Sequence, residues 1–299
     1  HWLDGRLRRK RKFNMELGNQ YSNDDVFKAK ARKYQSEYRM KVLKVDYQDY
    51  GNRLNDNDAQ KLLNYYDKLG VREVLRQRYP VYSRKRDADL LRSEHIPFNL
   101  FAPFCKNTTN LREILIDAFS IKLDQINSIQ IEYAPSPKEK YLNDLTSFDV
   151  YISGLLGEAI IGIGIEVKYT EKSYQIGNKE KSYVNDLLSP YWKIASSSKQ
   201  FSIGNKPEII NDDNRQIWRN HLLGLSMIDN KDIDRFYTIT IYPEGNDHFN
   251  KVLDEYKQML KEESRIFCKQ ITYEKYISIL KKFNEYNEWA FWLHQRYCF

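Results

Sequence analysis

The sequence predicts a mixed α/β fold of the α+β class, in which a central mixed sheet is flanked by helices and preceded by a helical N-terminal region. Three observations predict it. Segments 126–134, 147–153, 159–169 and 235–242 carry the alternation and β-branched content of strands. Segments 111–123 and 214–226 carry apolar stripes at helical spacing. The three middle strands follow one another as a meander, unlike a regular βαβ array. Residues 1–85 read as a basic helical region, and 86–299 as the core with a C-terminal helical extension.

Taken in chain order, RLRRKRK at 6–12 is a basic arm, with Arg8, Arg9, Lys10 and Arg11 available to a polyanion. From Asp24 to Val45 acids precede bases, the order a helix macrodipole favours, and Lys28 and Arg32 give this helix a basic surface. Residues 57–68 and 71–79 read as two helices broken at Gly70, and 87–101 as a third leading into a Pro-interrupted aromatic segment. Asn110 can cap the helix LREILIDAFSIKL, whose stripe is Leu111, Ile114, Leu115, Ala118 and Phe119. The polar stretch 172–213 reads as a flexible or functional insertion. PEGND closes the strand at 235–242, and a further strand is expected near 265–271 within a mainly helical C-terminal part.

A net charge of +7 suits a polyanionic partner such as nucleic acid. Mean hydropathy is −0.73, and no stretch approaches the roughly 20 apolar residues of a membrane span. Cys105, Cys268 and Cys298 are far apart and lack zinc spacing, so free thiols in a reducing cytoplasm are expected. No apolar segment follows the basic N-terminus, so no secretory signal is read there. The Walker A, GxSxG and HExxH patterns are absent from the sequence.

The stretch SFDVYISGLLGEAIIGIGIEVKY at 147–169 concentrates the chemistry. Side chains alternate across a strand, so Ile161, Ile163, Ile165 and Val167 share one face, and Gly162, Gly164, Glu166 and Lys168 the other. Phe148, Val150 and Ile152 oppose Asp149, Tyr151 and Ser153. Gly157 at the first central position suits a two-residue II′ turn pairing Leu156 with Ala159. Counting back in step, Asp149 faces Glu166, with their Cβ atoms about 5 Å apart. Like charges placed so repel, and Lys168 or a divalent cation would satisfy them; two carboxylates with waters and substrate phosphate are the usual cradle of Mg²⁺. The two glycines would clear the same face for a ligand or backbone. An ordinary solvated hairpin explains the alternation but not the meeting of the two acids.

Asp149, followed after 16 residues by Glu166-Val167-Lys168, resembles the PD-(D/E)XK nuclease superfamily. The words LRSEHIPFNLFAPF, LTSFDVYI, IEVKYTE and QIWRNHLL look like a restriction-endonuclease-like bacterial branch of it, over roughly 86–247. Phe148 stands where the family often has Pro. The resemblance implies an αβββαβ core and a nuclease, with a DNA endonuclease of restriction or phage-defence type favoured and RNA left open. It implies Asp149, Glu166 and the Val167 carbonyl as ligands of Mg²⁺, with Mn²⁺ substituting, and Lys168 as the group that orients the attacking water. It suggests Glu94 as an added acid, Gln216 as a polar residue near the site and Arg219 as a phosphate or structural contact. His95 and His221 are assigned no metal. A homodimer or a partner defence subunit is compatible with duplex cleavage. A catalytically silent nuclease-fold module and a basic protein–protein adaptor remain as alternatives.

Overall fold

The computed structural model describes residues 16–173, 176–204 and 206–299. Helix α1 (Val26–Tyr38) starts at Asp25, whose carboxylate accepts the Lys28 N–H at 3.0 Å. A short hairpin follows, β1 (Tyr47–Gln48) and β2 (Tyr50–Leu54), so the region expected to be helical also holds strands. The buried Arg39 fastens hairpin to helix, donating to the carbonyls of Gly51 at 2.8 Å and Val45 at 2.6 Å. Next come α2 (Asp56–Gln60) and α3 (Val71–Arg78). The helix expected over 57–68 stops early, where Leu62 adopts a left-handed φ of 61°; Leu69, at 55°, marks the turn before α3.

The expected helix at 87–101 begins instead at Ile96, as α4 (Ile96–Lys106). Pro97 explains the shift: proline is tolerated in a first helical turn but costs a hydrogen bond inside a longer helix. Helix α5 (Leu111–Phe119) begins after Asn110 as expected, but the Asn110 side chain donates to Glu285 at 2.5 Å and makes no cap bond.

Then come β3 (Gln125–Tyr133), β4 (Phe148–Leu156), β5 (Ala159–Val167), α6 (Asn178–Asn185), α7 (Pro190–Ser197), α8 (Arg215–Asp229) and β6 (Arg235–Tyr242). The chain closes with α9 (Asp247–Gln258), β7 (Cys268–Thr272), α10 (Tyr273–Leu280) and α11 (Asn287–Tyr297). The expected αβββαβ core is thus α5, β3, β4, β5, α8 and β6. The five long strands form one mixed sheet in the order β3-β4-β5-β6-β7. Its first three strands pair antiparallel, and β6 and β7 join in parallel.

Each sheet face carries its own apolar layer. Val150, Ile152, Ile161, Ile163, Ile165, Ile239 and Ile241 join residues of α3, α4, α5, α10 and α11. Residues of the N-terminal region, Ala31, Tyr65 and Leu75 among them, belong to this same layer, so the packing runs without a break across residue 85. Phe148, Tyr151 and Phe236 on the other face join α7, α8 and α9. The stretch 172–213 contributes to that second layer: Trp192 packs on Trp218 with ring centroids 4.9 Å apart. Among the described residues no helix is long and apolar enough to cross a membrane, and the three cysteines are unpaired.

Two expectations about the hairpin need correction. Phe148 does not share the face of Val150 and Ile152; it stacks on Tyr151 and reaches Phe236, each at 5.5 Å between centroids. The glycines do not open space for a ligand either. A Cβ on Gly164 would stand 2.6 Å from Phe148 and 2.7 Å from Phe236, and one on Gly162 2.7 Å from Ile233. They are small because aromatic rings and an isoleucine lie flat on the strand. Gly224 of α8 makes a tighter contact with the same ring, its Cβ position 2.1 Å from Phe236. Alanine normally favours a helix over glycine by about 1 kcal/mol, but overpacking costs roughly 1–3 kcal/mol. Gly224→Ala is therefore expected to lower stability in urea unfolding, against helix propensity.

Candidate active site

The hairpin register matches the expectation. Leu156 pairs with Ala159, Gly157 takes a φ of 60°, and the ladder counts back in step to Val150 and Ile165. There regular pairing ends, one step before Asp149 and Glu166 would meet. The Asp149 Oδ2 accepts the Val167 N–H at 2.7 Å, so the strand end is held by a side chain. Residue 168 is fixed from both sides: its N–H donates to the Ile241 carbonyl at 2.8 Å and its carbonyl accepts from the Tyr273 hydroxyl.

Glu166 and Lys168 are 6% and 7% exposed, charged groups that burial tolerates only when partnered. Glu166 Oε1 accepts from Lys168 Nζ at 2.6 Å and from Gln216 Nε2 at 2.5 Å, and its Oε2 accepts from Asn220 Nδ2. Gln216 Oε1 in turn accepts from Lys168 Nζ. Gln216 and Asn220 lie four residues apart on α8, hence on one face, and α8 packs against β5 and β6. A cavity of about 240 Å³ is lined by Asp149, Glu166, Lys168, Gln216 and Glu94. Glu94 is bound to Arg92 at 2.8 Å and lies 3.5 Å from Lys85. Glu171, also on the cavity wall, accepts the N–H groups of Ser93, Tyr169 and Thr170, each at 3.1 Å.

Electrostatic crowding accompanies this geometry. Burial, then the charges of Glu166 and Glu132, push the Asp149 carboxyl well above its usual range, against the pull of Lys168 and the Val167 amide. Burial and Glu166 push Glu132, whose neighbours Ile131 and Tyr133 pair with Val150 and Phe148, up to about 7. Burial alone would lower the Lys168 ammonium, but Glu166 and Asp149 hold it above its ordinary value. Neighbouring carboxylates without enough positive charge are the donor chemistry of a hard divalent cation. Among the described residues no three His, Cys, Asp or Glu side chains gather as a cage.

Other expected residues lie apart from this cavity. Arg219 is an internal brace, bound to Glu180 at 2.6 Å, Asp144 at 3.2 Å and Thr146 at 2.7 Å. Arg32 is 7% exposed and held by Asp24 at 2.5 Å and Asn52 at 2.6 Å, so it gives no open basic surface. Lys28 is exposed. Arg8, Arg9, Lys10 and Arg11 lie outside the described residues. His95 is fully buried and His221 faces the Tyr256 hydroxyl at 2.9 Å. Sequence reasoning gave no role to Asn220, Glu171 or Glu132. The four-residue spacing from Gln216 could have found the first; the others needed the tertiary fold.

The mixed sheet and its flanking helices thus bring Asp149, Glu166, Lys168, Gln216 and Glu94 to one cavity. The family model of the PD-(D/E)XK nuclease superfamily matches residues 22–299, and the chain belongs to that superfamily. No curated protein and no solved structure matches it.

The raised Asp149 carboxyl has a consequence for stability. A folded-state pKa above the unfolded value of about 3.9 means that ionising Asp149 opposes folding. The penalty is absent below pH ~3.9 and grows as pH rises toward the folded value. Asp149→Asn keeps an acceptor for the Val167 amide and removes the charge. In metal-free buffer at pH 7 it is expected to melt above the wild type, with the difference vanishing near pH 4.

Proposed function

We propose that the chain is a divalent-metal-dependent nuclease that hydrolyses phosphodiester bonds, acting on DNA as an endonuclease in restriction or phage defence. The observation that carries this reading is the contact of Lys168 Nζ with Glu166 at 2.6 Å in one cavity with Asp149 and Glu94. Hydrolysis needs a nucleophilic water, a polarised phosphoryl oxygen and a stabilised leaving oxygen. Mg²⁺ or Mn²⁺ held by Asp149, Glu166 and the Val167 carbonyl would supply charge neutralisation and a more acidic water.

The chain's own residues do the rest. Lys168 presents an ammonium where negative charge develops on the phosphate, and orients the attacking water. Its raised pKa keeps it charged at neutral pH. Gln216 is a positioning residue that joins Lys168 and Glu166, and Asn220 fixes the other Glu166 oxygen. Glu94 adds an acid on the facing wall. Net charge of +7 favours the phosphate backbone at low salt. Two nicks are needed to cut a duplex, so a homodimer or a partner subunit is part of the proposal.

Supercoiled plasmid incubated with Mg²⁺ is expected to be nicked, EDTA is expected to stop the reaction, and Lys168→Ala to slow it about 10²–10³-fold. Nicking that persists undiminished in Lys168→Ala would contradict the assignment. Gln216→Ala is expected to lower the rate less than Lys168→Ala, since it removes a support and not the charge.

A further inference from the structure

A second cavity of about 350 Å³ adjoins the first and shares Arg92 and Glu171 with it. Its walls come from the N-terminal segment, α1, β2 and the turn before α4. Resting on the nuclease reading above, we infer that this cavity is a subsite for one unpaired nucleotide flanking the scissile phosphate, its base stacked on Tyr21.

Four features support a nucleotide. The volume lies at the small end of the roughly 300–1,000 Å³ of ligand sites, enough for a single unit and too small for a duplex. Tyr21 and Tyr50 meet edge to face, centroids 5.9 Å apart, and Tyr21 is 44% exposed, a ring available at the mouth. The guanidinium of Arg32 lies 5.1 Å from the Tyr50 ring centroid and that of Arg53 5.3 Å, so Tyr50 is already covered by cations and serves as the brace behind Tyr21. Arg32 is locked there by Asp24 and Asn52, which explains a buried arginine in a region expected to bind through its surface.

The charge also fits. Lys28, Arg32, Arg53 and Arg92 line the cavity against Asp89 and Glu171. The Glu171 carboxylate is already occupied by three backbone N–H groups. Arg92 donates to Glu94 through one nitrogen at 2.8 Å, and Arg53 meets the carboxylates of Asp89 and Asp49 only at 3.4 Å and 3.6 Å. Guanidiniums with donor capacity left over suit a phosphate or a base edge. The shared Arg92 and Glu171 set the two cavities side by side. A base entering this cavity must leave its stack, so the inference predicts preference for single-stranded or tailed substrates over blunt duplex.

The test uses the full chain in EDTA, so that binding is read without cleavage. The probes are a single-stranded oligodeoxynucleotide containing 2-aminopurine, whose emission falls on stacking, and a blunt duplex of the same sequence. Wild type is expected to quench the single-stranded probe and to bind it more tightly than the duplex. Tyr21→Leu and Tyr50→Leu are each expected to weaken single-strand binding about tenfold and to abolish the quench. Tyr21 lies near the surface, so its variant tests the site even where Tyr50→Leu impairs folding. Wild-type affinity and quenching in Tyr21→Leu, or no quench in wild type, would overturn the subsite. Quenching lost in the variants, in a protein that never cleaves with Mg²⁺, would uphold the subsite and remove the nuclease reading alone.

Discussion

Both oxygens of the Glu166 carboxylate are held, one by Lys168 and Gln216 and the other by Asn220, and the geometry of the cavity follows from that anchoring. An unpaired carboxylate at 6% exposure would be costly. The fold meets that cost by packing α8 across β5 and β6, so that two amide side chains one turn apart reach the acid. The second apolar layer, with Trp218 of α8 against Trp192 and Phe236 against Gly224, sets the height of α8 above the sheet. Packing on one face of the sheet thus fixes the polar chemistry at the end of its inner strands.

The hairpin was the most legible part of the chain. Its alternation fixed the faces of β5, and Gly157 fixed the turn, so the approach of Asp149 to Glu166 followed by counting. What counting missed was the end of the ladder. Phe148 turns into the second layer, and Asp149 takes the Val167 amide. A strand end that parts from its partner is a tertiary event, governed by which aromatic side chain finds space. The two glycines misled for the same reason: a missing Cβ signals close approach, but not whether a ring or a ligand approaches.

Helix boundaries were less legible where left-handed residues intervene. Nothing in the types of Leu62 and Leu69 announces a positive φ, whereas Pro97 does announce a helix start. Single basic residues were least legible. Arg32 and Arg219 resemble any surface arginine in sequence, and only the fold shows Arg32 held by Asp24 and Asn52 and Arg219 between Glu180 and Asp144. Gln216 was legible through resemblance; Asn220 shares its helix face and gained a role only when α8 met β5.

The carboxylates gather at the end of two inner strands, and the N-terminal region packs into the same core. The short hairpin, α1 and the turn before α4 wall a second cavity against the first, so the segment preceding the αβββαβ core helps define what can reach Lys168. The central claim is that the open end of the β4–β5 hairpin is a metal-holding site. The most direct measurement is a crystal structure with Mn²⁺ and its anomalous difference map. A peak within coordination distance of Asp149, Glu166 and the Val167 carbonyl is the predicted result. Saturating Mn²⁺ with no peak there, and the two carboxylates turned apart, would contradict it.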